Sequence, residues 1–183
     1  NANSSDNGLV TIHAGVGGVD LLAGKSINTT PLSPGITAGA ITIDSVGAID
    51  LRGSLITKGS ASVAGNGGAG GNITLETTGT DSGITMASLD LRGGDSQQVG
   101  GIGGAAGTIT LISQANLVTL AGGLIRTAGG AGDTAGVNQE VRFSTPVFLI
   151  NAGTEIDTGL GDGDIVFEHS LTGTQSLTLK AGA

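Results

Sequence analysis

The sequence predicts an all-β solenoid of about six coils, with three short strands to a coil. Three observations lead there. A triplet with apolar flanks recurs as Val10-Thr11-Ile12, Ile41-Thr42-Ile43, Ile73-Thr74-Leu75, Ile109-Thr110-Leu111, Val141-Arg142-Phe143 and Ile165-Val166-Phe167, at intervals of 31, 32, 36, 32 and 24 residues. Alternation within the triplet marks a half-buried strand, and the interval marks a repeat. The composition is 36 Gly and three Phe in 183 residues, with no Trp, Tyr or Cys, so the core has to be thin and built from small aliphatic layers. No segment carries a sustained helical stripe between caps, so essentially no helix is expected.

The first coil reads Val10-Thr11-Ile12, Val19-Asp20-Leu21 and Ser26-Ile27-Asn28. Residues 29–40 then form an excursion carrying Pro31 and Pro34, which cannot donate to a ladder and suit a surface loop. The second coil is Ile41-Thr42-Ile43, Ile49-Asp50-Leu51 and Leu55-Ile56-Thr57; the third is Ile73-Thr74-Leu75, Ile84-Thr85-Met86 and Leu89-Asp90-Leu91. The fourth is Ile109-Thr110-Leu111, Val118-Thr119-Leu120 and Leu124-Ile125-Arg126. After residue 140 the style changes. Val141-Arg142-Phe143, Val147-Phe148-Leu149 and Ile156-Asp157-Thr158 lead into Ile165-Val166-Phe167, Leu171 and Leu177, with shorter loops and all three Phe residues. The expected division is therefore 1–140, coils with long Gly-rich loops, and 141–183, coils with a Phe core. Phe143 and Phe167 share a coil position and should stack.

Three Gly-rich segments, 59–71, 93–107 and 129–139, separate the coils. They are either flexible loops or excursions that leave at one corner and pile against each other. In the second case they would cover Ile56 and Ile125, which follow Leu55 and Leu124 and break the alternation. Glycine permits such close backbone packing because nothing projects from its Cα.

Fifteen acidic against seven basic residues give a net charge of −8. That argues against nucleic acid, whose phosphates need Lys and Arg, and the missing aromatics remove stacking platforms for single strands. No apolar run approaches a membrane span, so membrane insertion is not expected. Zero Cys excludes disulfides and thiolate metal sites.

Few motifs survive a physical reading. Gly24-Lys25-Ser26 resembles the end of a phosphate loop, but position 19 is Val where that loop needs Gly, and no helix follows. Gly65-Asn66-Gly67-Gly68-Ala69-Gly70 matches a dinucleotide fingerprint in the wrong context, a loop entering a strand. Asp157-Thr158-Gly159-Leu160-Gly161-Asp162-Gly163-Asp164 is a better candidate. Its carboxylates Asp157, Asp162 and Asp164 could wrap a calcium ion with hard oxygen ligands, or simply form a tight acidic turn. In-register stacking puts Asp20 over Asp50 and Asp44 over Glu76, a solvated face or one screened by a cation. The outward row Thr11, Thr42, Thr74, Thr110 is a threonine ladder of the kind that could order water, though Asp44 and Glu76 flank it. His13 and His169 fall in the first and last coils and cannot share a site. Asp50-Leu51-Arg52 and Asp90-Leu91-Arg92 sit in different strand registers, so no nucleophile, base and orienting group converge and no enzyme is expected.

The Gly-x-Ile-Thr-Leu strands, the Gly-Gly-Ala-Gly-Gly-Asn loops and the closing Gly163-Asp164-Ile165-Val166-Phe167…Leu171-Thr172-Gly173-Thr174-Gln175-Ser176-Leu177-Thr178-Leu179 resemble the filamentous-haemagglutinin-like adhesins, very large repetitive bacterial surface proteins. The resemblance implies a right-handed parallel β-helix, secreted and held at or shed from the cell surface. It implies a shaft with no shared active site, so it carries over no functional residues. The expected function is that of a non-catalytic extracellular structural β-solenoid, a segment of an adhesin shaft or the subunit of a filament; the alternative is a carbohydrate-binding or carbohydrate-processing β-helix. The polar lead Asn1 to Gly8 and the final strand-like Leu177-Thr178-Leu179 show no capping element. The expected partner is therefore a continuation of the stack, in a longer chain or in another copy, with a host or matrix glycan or protein as a further partner.

Overall fold

The computed structural model describes residues 8–182; of the polar lead only Gly8 lies within them. Those residues are all-β, without a helix. Along the chain come β1 (Val10–Ala14), β2 (Val19–Leu21) and β3 (Ser26–Asn28), then β4 (Ile41–Ser45) and β5 (Ile49–Ile56). Next are β6 (Ile73–Thr77), β7 (Ile84–Asp90), β8 (Ile109–Ser113), β9 (Val118–Leu120) and β10 (Gly123–Arg126). The last six are β11 (Val141–Phe143), β12 (Val147–Leu149), β13 (Thr154–Asp157), β14 (Ile165–Phe167), β15 (Leu171–Gly173) and β16 (Leu177–Lys180).

Their pairings are parallel and form curled sheets. One sheet runs β1-β4-β6-β8, and a second carries β2, β3, β5, β7, β9, β10, β12, β13, β15 and β16. β11 and β14 form a third, so the first ladder is interrupted near residue 140 while the second passes across it. Within these ladders a strand meets its counterpart one repeat later, except that β8 and β11 do not pair. Ile41 pairs Ile73 and Ile43 pairs Leu75, and Ile73 pairs Ile109 and Leu75 pairs Leu111. The inward side chains join one apolar cluster that includes Ile43, Leu51, Leu75, Met86, Val118, Phe143 and Ile156. Phe143 and Phe167 stack with centroids 4.9 Å apart and planes 10° off parallel, as their shared coil position predicts.

The corners depart from the predicted strand boundaries. In the second and third repeats the second and third strands merge into the single strands β5 and β7, with a register irregularity between Leu51 and Ser54 in β5. The reason is local. Gly24 (φ 75°) separates β2 from β3, Gly122 (φ 89°) separates β9 from β10, and Asn151 (φ 67°) separates β12 from β13. No residue with positive φ interrupts β5 or β7, so the chain stays extended there.

The same feature corrects the reading of Leu124 and Ile125. Gly122 and Gly123 both adopt positive φ and shift the strand by one residue relative to the sequence alignment. Ile125, not Leu124, enters the column with Leu89 and Ile156 and is fully buried, while Leu124 turns outward beside Glu155. Leu55 holds that column in the second repeat and Ile56 is outward and half-buried beside Asp90.

The Gly-rich segments do pile against one another. A single file of backbone hydrogen bonds runs through them: Ser60 N–H donates to Ile36 O, Gly68 to Ser60, Gly94 to Gly68, Gly104 to Gly94, Gly130 to Gly104 and Gly136 to Gly130. The file passes alternately through outgoing and returning limbs of successive loops, and it satisfies backbone groups that a buried loop would otherwise orphan.

Candidate functional site

The outward face of the β3–β5–β7–β10–β13–β16 ladder carries a concavity whose lining mixes charge, hydroxyl and aliphatic groups. Two side-chain rows border it. One holds Ser54, Ser88 and Leu124; the other holds Ile56, Asp90 and Arg126. Leu55 and Leu89 alternate inward between them and are 0% and 1% exposed, so their backbone forms the floor. The small serines make the depression, which has a volume of about 200 Å3.

Its charges have distinct partners. The Asp90 carboxylate accepts two hydrogen bonds from the Arg92 guanidinium, at 2.9 and 2.8 Å. Burial pushes the Asp90 carboxyl up, but the hydrogen bonds and charge of Arg92 outweigh it and hold the group below its usual range. Arg126 lies between Asp90 and Asp157 in register, yet it forms no ion pair among the described residues. Its Nε is buried without a hydrogen-bond partner. Ser88 Oγ accepts the Leu124 N–H at 3.3 Å, leaving its own hydroxyl hydrogen free to donate.

The other sequence candidates lie elsewhere. Asp157 Oδ1 accepts the Gly159 N–H at 3.0 Å, and the Thr158 hydroxyl donates to Gly163 O at 2.6 Å, which closes the acidic turn. Asp162 and Asp164 are exposed, and among the described residues no three carboxylates or imidazoles group around a point that could hold a metal ion. The predicted stacking of Asp20 on Asp50 and of Asp44 on Glu76 is present, as is the row Thr11, Thr42, Thr74, Thr110. Asp44 is hydrogen-bonded to His13 Nδ1. Asp50 and Asp90 each bind the arginine two residues on, Arg52 and Arg92, both at 2.8 Å, as two separate ion pairs.

Sequence reasoning missed Arg126, Ser54 and Ser88. The available signal was the outward position of Arg126 in the register of Asp90, hidden by aligning Leu124 instead of Ile125 with the core. It also missed a second set of residues. Thr29, Thr57, Thr127 and Thr158 occupy one position of the repeat and are all buried. Each donates its hydroxyl across the base of a loop, to Gly39, Gly71, Gln139 and Gly163 carbonyls at 2.6–2.7 Å. In the third repeat Leu91 takes this place.

No protein-family model matches the chain, and no curated protein or solved structure is significantly similar to it.

Proposed function

We propose that the chain is a non-catalytic extracellular structural β-solenoid: a right-handed parallel β-helix of about six coils, serving as a segment of an adhesin shaft or as the subunit of a surface filament. The observation that carries this reading is the parallel pairing of most strands with the strand one repeat later, over one shared apolar core. Location at a bacterial surface rests on the repeat texture shared with the filamentous-haemagglutinin-like adhesins. A shaft needs a stack that can be prolonged. Among the described residues β1, β2 and β3 pair on one side only, and so do β14, β15 and β16. Such edges recruit further strands. A longer chain or another copy would continue them, and a head-to-tail contact between copies is heterologous and extends without closing.

The test is light scattering and electron microscopy on the purified chain across a range of concentrations. End-to-end rods, or terminal rungs that exchange amide hydrogens rapidly until further strands are paired to them, are the expected results. A monomer at high concentration with both outer rungs fully protected would defeat the reading. A second reading, carbohydrate binding, is favoured by one observation, the mixed polar and aliphatic concavity around Asp90 and Arg126.

A further inference from the structure

We propose that this concavity is a subsite for a single neutral pyranose unit, a proposal that rests on the second, carbohydrate-binding reading and leaves the shaft reading independent. Four features select that ligand class. The volume of about 200 Å3 lies below that of clefts for drug-sized ligands and admits one ring. The polar lining offers both signs of hydrogen bond: Arg126 Nε is a buried donor lacking a partner, Asp90 is an ionised acceptor, and Ser88 can donate. Sugar hydroxyls donate and accept at once, so one ring can answer all three. The outward aliphatic side chains of Ile56 and Leu124 sit at opposite corners and suit the C–H face of a pyranose.

Charge argues for a neutral ring. The lining itself holds one carboxylate, Asp90, and one guanidinium, Arg126, so the depression carries no net charge of its own. The molecule as a whole carries −8, which repels anionic saccharides at a distance. The orphaned Arg126 Nε is the decisive feature. A buried guanidinium N–H without an acceptor is costly; Arg126 lines the depression, and a turn of its side chain toward a bound ring would bring Nε–H to a ligand oxygen.

The experiment is a nuclear magnetic resonance titration of the whole chain, following the Arg126 Nε–H and the Ser88 and Asp90 amides. The probes are the methyl glycosides of glucose, galactose and mannose, with methyl glucuronide and acetate as anionic comparisons. At least one neutral glycoside should shift these signals saturably with a millimolar Kd. Arg126→Met removes the donor and Ser54→Val fills the depression. Each should weaken that binding by about tenfold or more while the melting temperature stays near that of the parent. Saturation by methyl glucuronide with no neutral response overturns the neutral-ring inference and leaves the carbohydrate reading standing. Saturation by acetate alone, or no saturable shift with any saccharide, overturns both; saccharide shifts unchanged in both variants overturn the subsite at this concavity.

Discussion

Leu75 sits between Ile43 and Leu111 in its ladder and is 0% exposed, while Thr74 beside it points outward between Thr42 and Thr110. Leu75→Asp buries a charge with no partner and should cost at least about 3 kcal/mol, whereas Thr74→Asp should stay within about 1 kcal/mol. Equal midpoints in urea for the two variants would refute the register. Glycine allows an equally sharp contrast, because the reasons for its presence differ by position. A Cβ on Gly104 would stand 1.9 Å from Gly68 O, in the middle of the hydrogen-bonded file; a Cβ on Gly17 would meet nothing within 4 Å. Gly104→Ala should therefore cost about 1–3 kcal/mol and loosen the neighbouring loops, and Gly17→Ala about 0.5 kcal/mol or less. Amide exchange at Gly94, Gly130 and Gly136 checks the first half, since only disruption of the file would speed all three. The sequence showed how many glycines there are; it did not distinguish these two kinds, because close approach depends on which distant limb lies alongside.

At the level of elements, the strands were legible because alternation is a local signal: the triplets, the Thr row and the Phe143–Phe167 stack all stand where the repeat put them. The corners were not, because Gly122, Gly123 and Asn151 shift or divide strands through φ, which a hydrophobic pattern does not encode. The candidate concavity depended on one of those corners and was lost with it. The threonine clasps were hidden for another reason: a buried Thr at a loop base resembles any turn residue until its distant acceptor is known. Thr57 donates to Gly71 O at 2.7 Å across a span of 14 residues, and Thr158 spans only five to Gly163, so one device closes loops of very different length. Thr57→Val keeps the shape but orphans the buried carbonyl, and should lose about 1–3 kcal/mol. Thr57→Ser retains the donor and should lose about 1 kcal/mol, the cost of a methyl group. If Val and Ser prove equally destabilising, the hydroxyl is not the clasp. For the acidic turn, Asp157 is already engaged by Gly159 N–H, and Thr158 closes the turn without an ion. Millimolar calcium should leave the melting temperature unchanged; a rise that Asp162→Asn with Asp164→Asn abolishes would establish a calcium site there.

Across the whole molecule, the solenoid proposal implies that stability is carried by neighbouring rungs and is nearly one-dimensional. That distinguishes it from a domain whose core closes in three dimensions, where removing an edge unravels everything. Ending the chain after Gly163 removes β14, β15 and β16 and with them the pairings to β11, β12 and β13. It also strips Phe167 from Phe143, which is 1% exposed in the full chain. The pairings of β4 with β6 and of β5 with β7 lie several rungs away and lose nothing directly. In a one-dimensional stack, residues 1–163 should still fold, with a lower midpoint and a smaller denaturant slope in proportion to the surface no longer buried. Amides of β11 to β13 should exchange faster, while those of β4 to β7 keep their protection. Phe143→Thr in the shortened chain should restore solubility without restoring the lost stability, since it only blunts the newly exposed face. Collapse of protection throughout β4 to β7 in both shortened forms would show that the curled sheets close on each other as one cooperative unit, and the shaft proposal would fall with the solenoid.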